Sequence, residues 1–204
     1  MTIFFHEGDL PNDFKPAAAV AVDTEAMGLD AHRDRLCLVQ LSNGDGDAHL
    51  VRLAKGAYDA PNLCKLFADP NVTKIFHYAR FDVGMIKAYL GVDVAPVYCT
   101  KIASKLVRTY TDRHGLKDLL RELLGVEVSK KEQSSDWGAD EITQAQREYA
   151  ANDVLYLHGL MDGLNIRLER EGRTHLAQAC FDFLPTRAAL DLAGWPETDI
   201  FAHS

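Results

Sequence analysis

Apolar positions follow two different rhythms along this chain. In the first half they come as short, nearly unbroken runs at residues 17–22, 36–41, 49–53 and 72–76, bounded by turn formers such as Ser42-Asn43-Gly44-Asp45-Gly46. Runs of that length read as strands with little exposed face. A helical stretch is expected at 61–68, between the third and fourth of them. Beyond residue 77 the spacing changes to threes and fours. Phe81, Met85, Ile86 and Leu90 share one face of a helix stopped by Gly91, and Leu116, Leu119, Leu120, Leu123 and Leu124 stripe another that Gly125 ends. Residues 97–107 also read as helical. The longest expected helix runs from about 143 to 170, where Ala150, Val154, Leu157, Met161, Leu164 and Leu168 form a continuous seam. With no internal repeat and no linker, the pattern predicts one α/β domain, strand-rich first and helix-rich after.

Against this pattern, four carboxylates stand out. Asp23 and Glu25 close the first apolar run one residue apart, and alternation along a strand turns both to the same side. Asp82 opens a helix just after the 72–76 strand. Asp153 lies four residues after Tyr149 on a common flank of the long helix. Each has an ordinary explanation when taken singly: a solvated loop acid, a helix cap, a flank charge. Taken together they suggest a converging oxygen-rich site.

The 204 residues, 47% hydrophobic and 25% charged, suit a single folded domain with a sizeable core. Glu7 and Asp9 stand where a signal peptide would be basic, and no apolar run approaches spanning length, so a cytoplasmic protein with no membrane partner is expected. Cys37, Cys64, Cys99 and Cys180 are too scattered for a zinc or redox motif and are expected to be buried thiols. The formal charge of −8 argues against a protein that grips long nucleic acid through many phosphates. A nucleic-acid substrate would have to be held by few phosphate contacts or through metal.

Three stretches, in order, resemble the motifs of the DEDD superfamily of 3′-5′ exonucleases: Asp23-Thr24-Glu25, the FHYARFD stretch ending at Asp82, and YAAND from Tyr149 to Asp153. Tyr149 lies four residues before the last Asp, as in the tyrosine (DEDDy) subclass; the position five before, where the histidine subclass has His, is Glu148. The segment Gln133-Ser134-Ser135-Asp136-Trp137 before YAANDVLYL is similar to the lead-in of the ribonuclease D branch. The similarity covers roughly residues 17–160, with Cys99-Thr100 standing where many ribonuclease D relatives have Asp-Thr. The short chain, its acidity and DTEAMGLD look most like the compact nanoRNase C type, without a helical HRDC domain.

That resemblance implies an RNase H-like (DnaQ-like exonuclease) fold, a mixed central sheet flanked by helices. It also implies two divalent ions, Mg²⁺ or Mn²⁺, held by Asp23, Glu25, Asp82 and Asp153, with Tyr149 orienting the attacking water. Thr24, Gly28, Leu29, His77 and Trp137 are expected at the substrate. Leu29 is either a wedge against the terminal base or a core Leu, His77 a substrate neighbour or a structural His, Trp137 a stacking platform or a packing residue. The implied reaction is exoribonucleolytic cleavage of dinucleotides and short oligoribonucleotides to nucleoside 5′-monophosphates. Action on single-stranded DNA or on longer RNA is the alternative, and an inactive RNA-binding scaffold a third reading. Phe181, Phe183, Leu184, Leu190, Leu192 and Trp195 lie in a C-terminal segment, about 175–204, with little chain left to cover them. They suggest a helical extension that touches a neighbouring copy, consistent with the homo-oligomeric, octameric ring the resemblance implies.

Overall fold

The computed structural model describes residues 1–128, 131–132 and 134–203. Gln133, in the lead-in to the third motif, and Ser204, the last residue of the C-terminal segment, lie outside the described residues. Six strands form one mixed sheet in the order β1-β4-β3-β2-β5-β6: β1 (Ile3–Glu7), β2 (Ala19–Ala26), β3 (Leu36–Ser42), β4 (Ala48–Arg52), β5 (Thr73–Phe76) and β6 (Val97–Cys99). Only β3 runs against its neighbours β2 and β4; the other pairings are parallel. The unbroken apolar runs are explained by burial on both faces: every residue of β3 is buried.

Helices α1 (Pro61–Ala68), α2 (Ala79–Leu90), α3 (Thr100–Val107), α4 (Leu116–Leu119, continued by a π-helical turn Leu120–Leu124), α5 (Gln144–Leu155), α6 (Leu157–Arg170) and α7 (Thr174–Leu192) complete the domain. Gly91 and Gly125 end their helices in the left-handed region, φ 67° and 68°, where glycine carries no Cβ penalty. None of the described helices is long and apolar enough to cross a membrane.

Several expectations need correction. β1 was not anticipated; it pairs in parallel with β4 at the sheet edge. Residues 97–107 are not one helix, because Val97, Tyr98 and Cys99 bond alongside Lys74, Ile75 and Phe76 as β6 before α3 begins. Three residues are too few for periodicity to separate a strand from a helical turn. The single helix expected over 143–170 is interrupted at Tyr156 (φ −107°, ψ −1°). The break lets α5 lie across β1, β4, β3 and β2 while α6 turns to pack on α3 and β5. The longest described helix is α7, which lies along α2 with the Ala188 methyl 4.0 Å from the point where Gly84 would carry a Cβ. Its Phe181 and Leu184, expected to be uncovered, are buried within the chain, whereas Trp195, Ile200 and Phe201 remain exposed. Of the four cysteines, all free, only Cys37 and Cys99 are buried; Cys64 is half-buried and Cys180 exposed.

Candidate active site

β5 pairs with only the first part of β2, from Ala19 to Ala21, so the end of β2 leaves its neighbour and borders an open crevice. Asp23 and Glu25 project from this free end. α2 follows β5 after a two-residue link, entered through Tyr78, a non-glycine residue in the left-handed region (φ 72°). That turn sets Asp82 in the first helical turn, where a carboxylate also faces the positive end of the helix dipole. α5 supplies Tyr149 and Asp153 one turn apart. Its start is fixed by a capping box: the Thr143 hydroxyl accepts from the Gln146 backbone N–H, and the Gln146 side chain accepts from the Thr143 N–H at 2.9 Å.

The three elements converge on a cavity of about 680 Å³ whose lining includes all four acids and Tyr149. One oxygen each from Asp23, Glu25 and Asp153 lie within 4.8 Å of one another. Asp82 is buried beside them, its Oδ1 accepting from the Thr24 hydroxyl at 2.7 Å. Among the described residues, no Lys or Arg forms an ion pair with any of the four. At such separations each ionised pair costs about 3–4 kcal/mol for an effective dielectric of roughly 20. The cluster must therefore hold protons or cations. Burial, followed by repulsion from Asp82, Asp153 and Glu25, raises Asp23 well above the usual carboxylate range. Burial and then the Asp153 and Asp82 charges push Glu25 up to about 9. Asp82 and Asp153 rise to about 7, mainly by burial, opposed by the hydroxyls of Thr24 and Tyr149 respectively.

An all-oxygen donor set with unbalanced negative charge suits a hard divalent ion better than a soft one. The residues present thus fit the metal that the sequence implies. Tyr149 is raised well above its ordinary value by burial and by the Asp153 carboxylate, so it keeps its proton throughout the neutral range. It can orient a water molecule but is a poor base.

The other expected substrate residues separate. Thr24, Gly28, Leu29 and His77 line the cavity. Leu29 is 86% exposed, which removes the core-leucine reading. Thr24 is a partner of Asp82 as much as a lining residue. Gly28 is required by packing, because a Cβ there would stand 2.2 Å from Asp34 Oδ2. His77 bonds through Nδ1 with the Thr100 hydroxyl at 2.9 Å; burial and then the Lys101 charge lower its pKa to about 3, so it is neutral. Trp137 is the correction: it is absent from this lining and only 3% exposed, its ring centroid 6.0 Å from that of Tyr149. It lines instead a second cavity of about 400 Å³, together with Arg35 and Arg52.

Sequence reasoning missed Lys101 and Lys117, which line the cavity, because only the fold brings α3 and α4 to β2. It passed over Tyr78 as well, although the FHYARFD stretch contains it; the Lys101 ammonium lies 4.3 Å from its ring centroid. Gln40 was also missed, though a lone amide within the buried run LCLVQLS is itself a signal.

Residues 7–169 match the 3′-5′ exonuclease family. A ribonuclease D of Acidiphilium cryptum is 39% identical over 154 residues, 76% of this chain and 39% of that protein, so the chain spans about two-fifths of that relative's length. Two solved structures cover this chain and their own completely: Brucella melitensis NrnC with bound Mg²⁺, 59% identical with a TM-score of 0.96, and the same protein bound to pGG, 60% identical with a TM-score of 0.97. These likenesses agree with the RNase H-like arrangement of a mixed sheet flanked by helices.

Proposed function

Because the chain belongs to the 3′-5′ exonuclease family and is of the ribonuclease D type, we propose that it is a metal-dependent exoribonuclease that releases nucleoside 5′-monophosphates from dinucleotides and short oligoribonucleotides. The observation that carries this reading is the convergence of Asp23, Glu25 and Asp153 within 4.8 Å, flanked by Asp82 and Tyr149, in a cavity that also presents the exposed Leu29. The cavity's size falls within the roughly 300–1,000 Å³ of sites that enclose a small ligand. Among the described residues its lining holds two lysines, Lys101 and Lys117, in a chain of net charge −8. Few phosphates can be gripped that way, which favours short substrates. The likeness to a protein bound to pGG supports the same substrate class.

In this proposal Asp23, Glu25, Asp82 and Asp153 would hold two divalent ions, with Glu25 and Asp153 on the side of the attacking water and Asp82 on the side of the leaving group. Mg²⁺ or Mn²⁺ bound there would acidify water and neutralise charge developing on the leaving 3′ oxygen. Tyr149, protonated and braced by Trp137, orients the water toward phosphorus. Leu29 rests on the terminal base. Four free cysteines accord with a reducing, cytoplasmic setting, and the exposed Trp195, Ile200 and Phe201 are apolar surface suited to a second copy of the chain in a homo-oligomer.

A time course with 5′-labelled RNA and DNA of two, five and twenty nucleotides, each with Mg²⁺, Mn²⁺ or chelator, tests the reading. Fastest cleavage of the two-nucleotide RNA, abolished by chelator, is expected. Equal cleavage of twenty-nucleotide DNA would replace it with a general exonuclease, and no cleavage at all would leave only a binding role.

A further inference from the structure

Asp23 on β2 pairs directly with Gln40 on β3, so the two side chains are nearest cross-strand neighbours on one face. On its other side Gln40 faces Leu50 of β4, and Leu38 precedes it on the same face of β3. Gln40 is completely buried. Its Nε2 donates to Asp23 Oδ2 at 2.9 Å, while its Oε1 has no hydrogen-bond partner among the described residues. A buried amide with an unmet acceptor weakens a sheet centre where an apolar side chain would pack at no such cost. The compensating gain lies in what the amide holds.

We propose that Gln40 is a positioning residue for Asp23. One bond to Oδ2 stops the carboxylate from turning about its own axis and so fixes how it faces Glu25 and Asp153. Thr24 does the same for Asp82 across the strand, so one oxygen of each carboxylate is tethered by a neutral donor. Outer partners of this kind typically change metal affinity by about 10–100-fold when removed. The inference rests on the reading of Asp23 as an ion ligand.

The test is Mn²⁺ binding to the full chain without substrate, followed by electron paramagnetic resonance, for the wild type, Gln40→Met and Gln40→Glu, with thermal unfolding in chelator alongside. Gln40→Met keeps the volume and deletes the donor. It should bind Mn²⁺ at least about ten-fold more weakly while still unfolding in one cooperative transition in chelator, which shows that the fold is kept. In turnover assays its kcat at saturating Mn²⁺ should return toward the wild-type value, with KM for a dinucleotide unchanged. Gln40→Glu, which sets a further acid against Asp23, should bind Mn²⁺ more weakly than Gln40→Met. Wild-type Mn²⁺ affinity in Gln40→Met overturns the positioning role. A wild-type chain that takes up no Mn²⁺ overturns the reading of the acidic cluster itself, a result separable from any difference between variants.

Discussion

Single side chains in this site act through what they are prevented from doing. Tyr149 is denied ionisation by burial and by Asp153, which confines it to orientation. Tyr149→Phe should therefore lower kcat about 100-fold even at saturating Mn²⁺, the scale expected when an attacking group loses its alignment. Full turnover in that variant would take Tyr149 out of the mechanism. Gly28 is denied a side chain by Asp34, whose carboxylate accepts from the Asp30 N–H and the Arg33 guanidinium in the turn that carries Leu29. Gly28→Ala should displace that turn, raising KM for a dinucleotide severalfold with a smaller effect on kcat; an unchanged KM would separate Leu29 from the substrate. The acids and Tyr149 were legible from their order in the sequence. The burial of Trp137 was not, since an aromatic beside a motif reads alike whether it faces a ligand or the core.

At the level of elements, the site depends on how three starts and ends are fixed: the free end of β2, the left-handed entry to α2, and the cap of α5. The cap can be tested alone. Thr143→Ala removes the acceptor for the Gln146 N–H and should cost about 1 kcal/mol, seen as a fall of roughly 2–4 °C in Tm for a domain of this size. Because Tyr149 and Asp153 lie in the second and third turns beyond that cap, turnover should fall with it. A Tm drop with unaltered activity would mean that packing on the sheet, and not the cap, holds α5 in register. The strong runs of β2, β3, β4 and β5 and the glycine-stopped helices were readable. β1, β6 and the interruption at Tyr156 were not, because short edge strands and a change of packing partner leave no periodic trace.

For the whole molecule, the cluster ties folding to protons and cations. Glu25 at about 9 and Asp82 and Asp153 at about 7 hold protons in the folded chain that the unfolded chain has released. Stability in chelator should therefore fall as pH rises above the ordinary carboxylate range toward 9, by about 1.4 kcal/mol per pH unit for each retained proton. His6, His49 and His77, lowered mainly by burial, act in the opposite sense only below about 6.5. Lys74, lowered to about 8 by burial, does so only above that value. The interval from about pH 6.5 to 8 consequently reports the carboxylates. Across it, Tm in chelator should decline, and the rise on adding Mg²⁺ should be larger at pH 8 than at 6.5, since the ion requires deprotonated ligands. A flat Tm in chelator with no response to Mg²⁺ would contradict the charge cluster.

By itself the sequence determined the α/β class of fold, because strand alternation and helical spacing are local properties that each segment carries with it, and it offered the candidate acids in an order that resembles the exonuclease motifs. The tertiary structure alone decided which groups meet. Lys101 and Lys117 reach the cavity, Gln40 grips Asp23, and Trp137 backs Tyr149 only once separate elements are stacked. Phe181 and Leu184 are covered because α7 folds back within the chain. Contacts between remote segments depend on sheet order and helix direction, which no window of residues encodes.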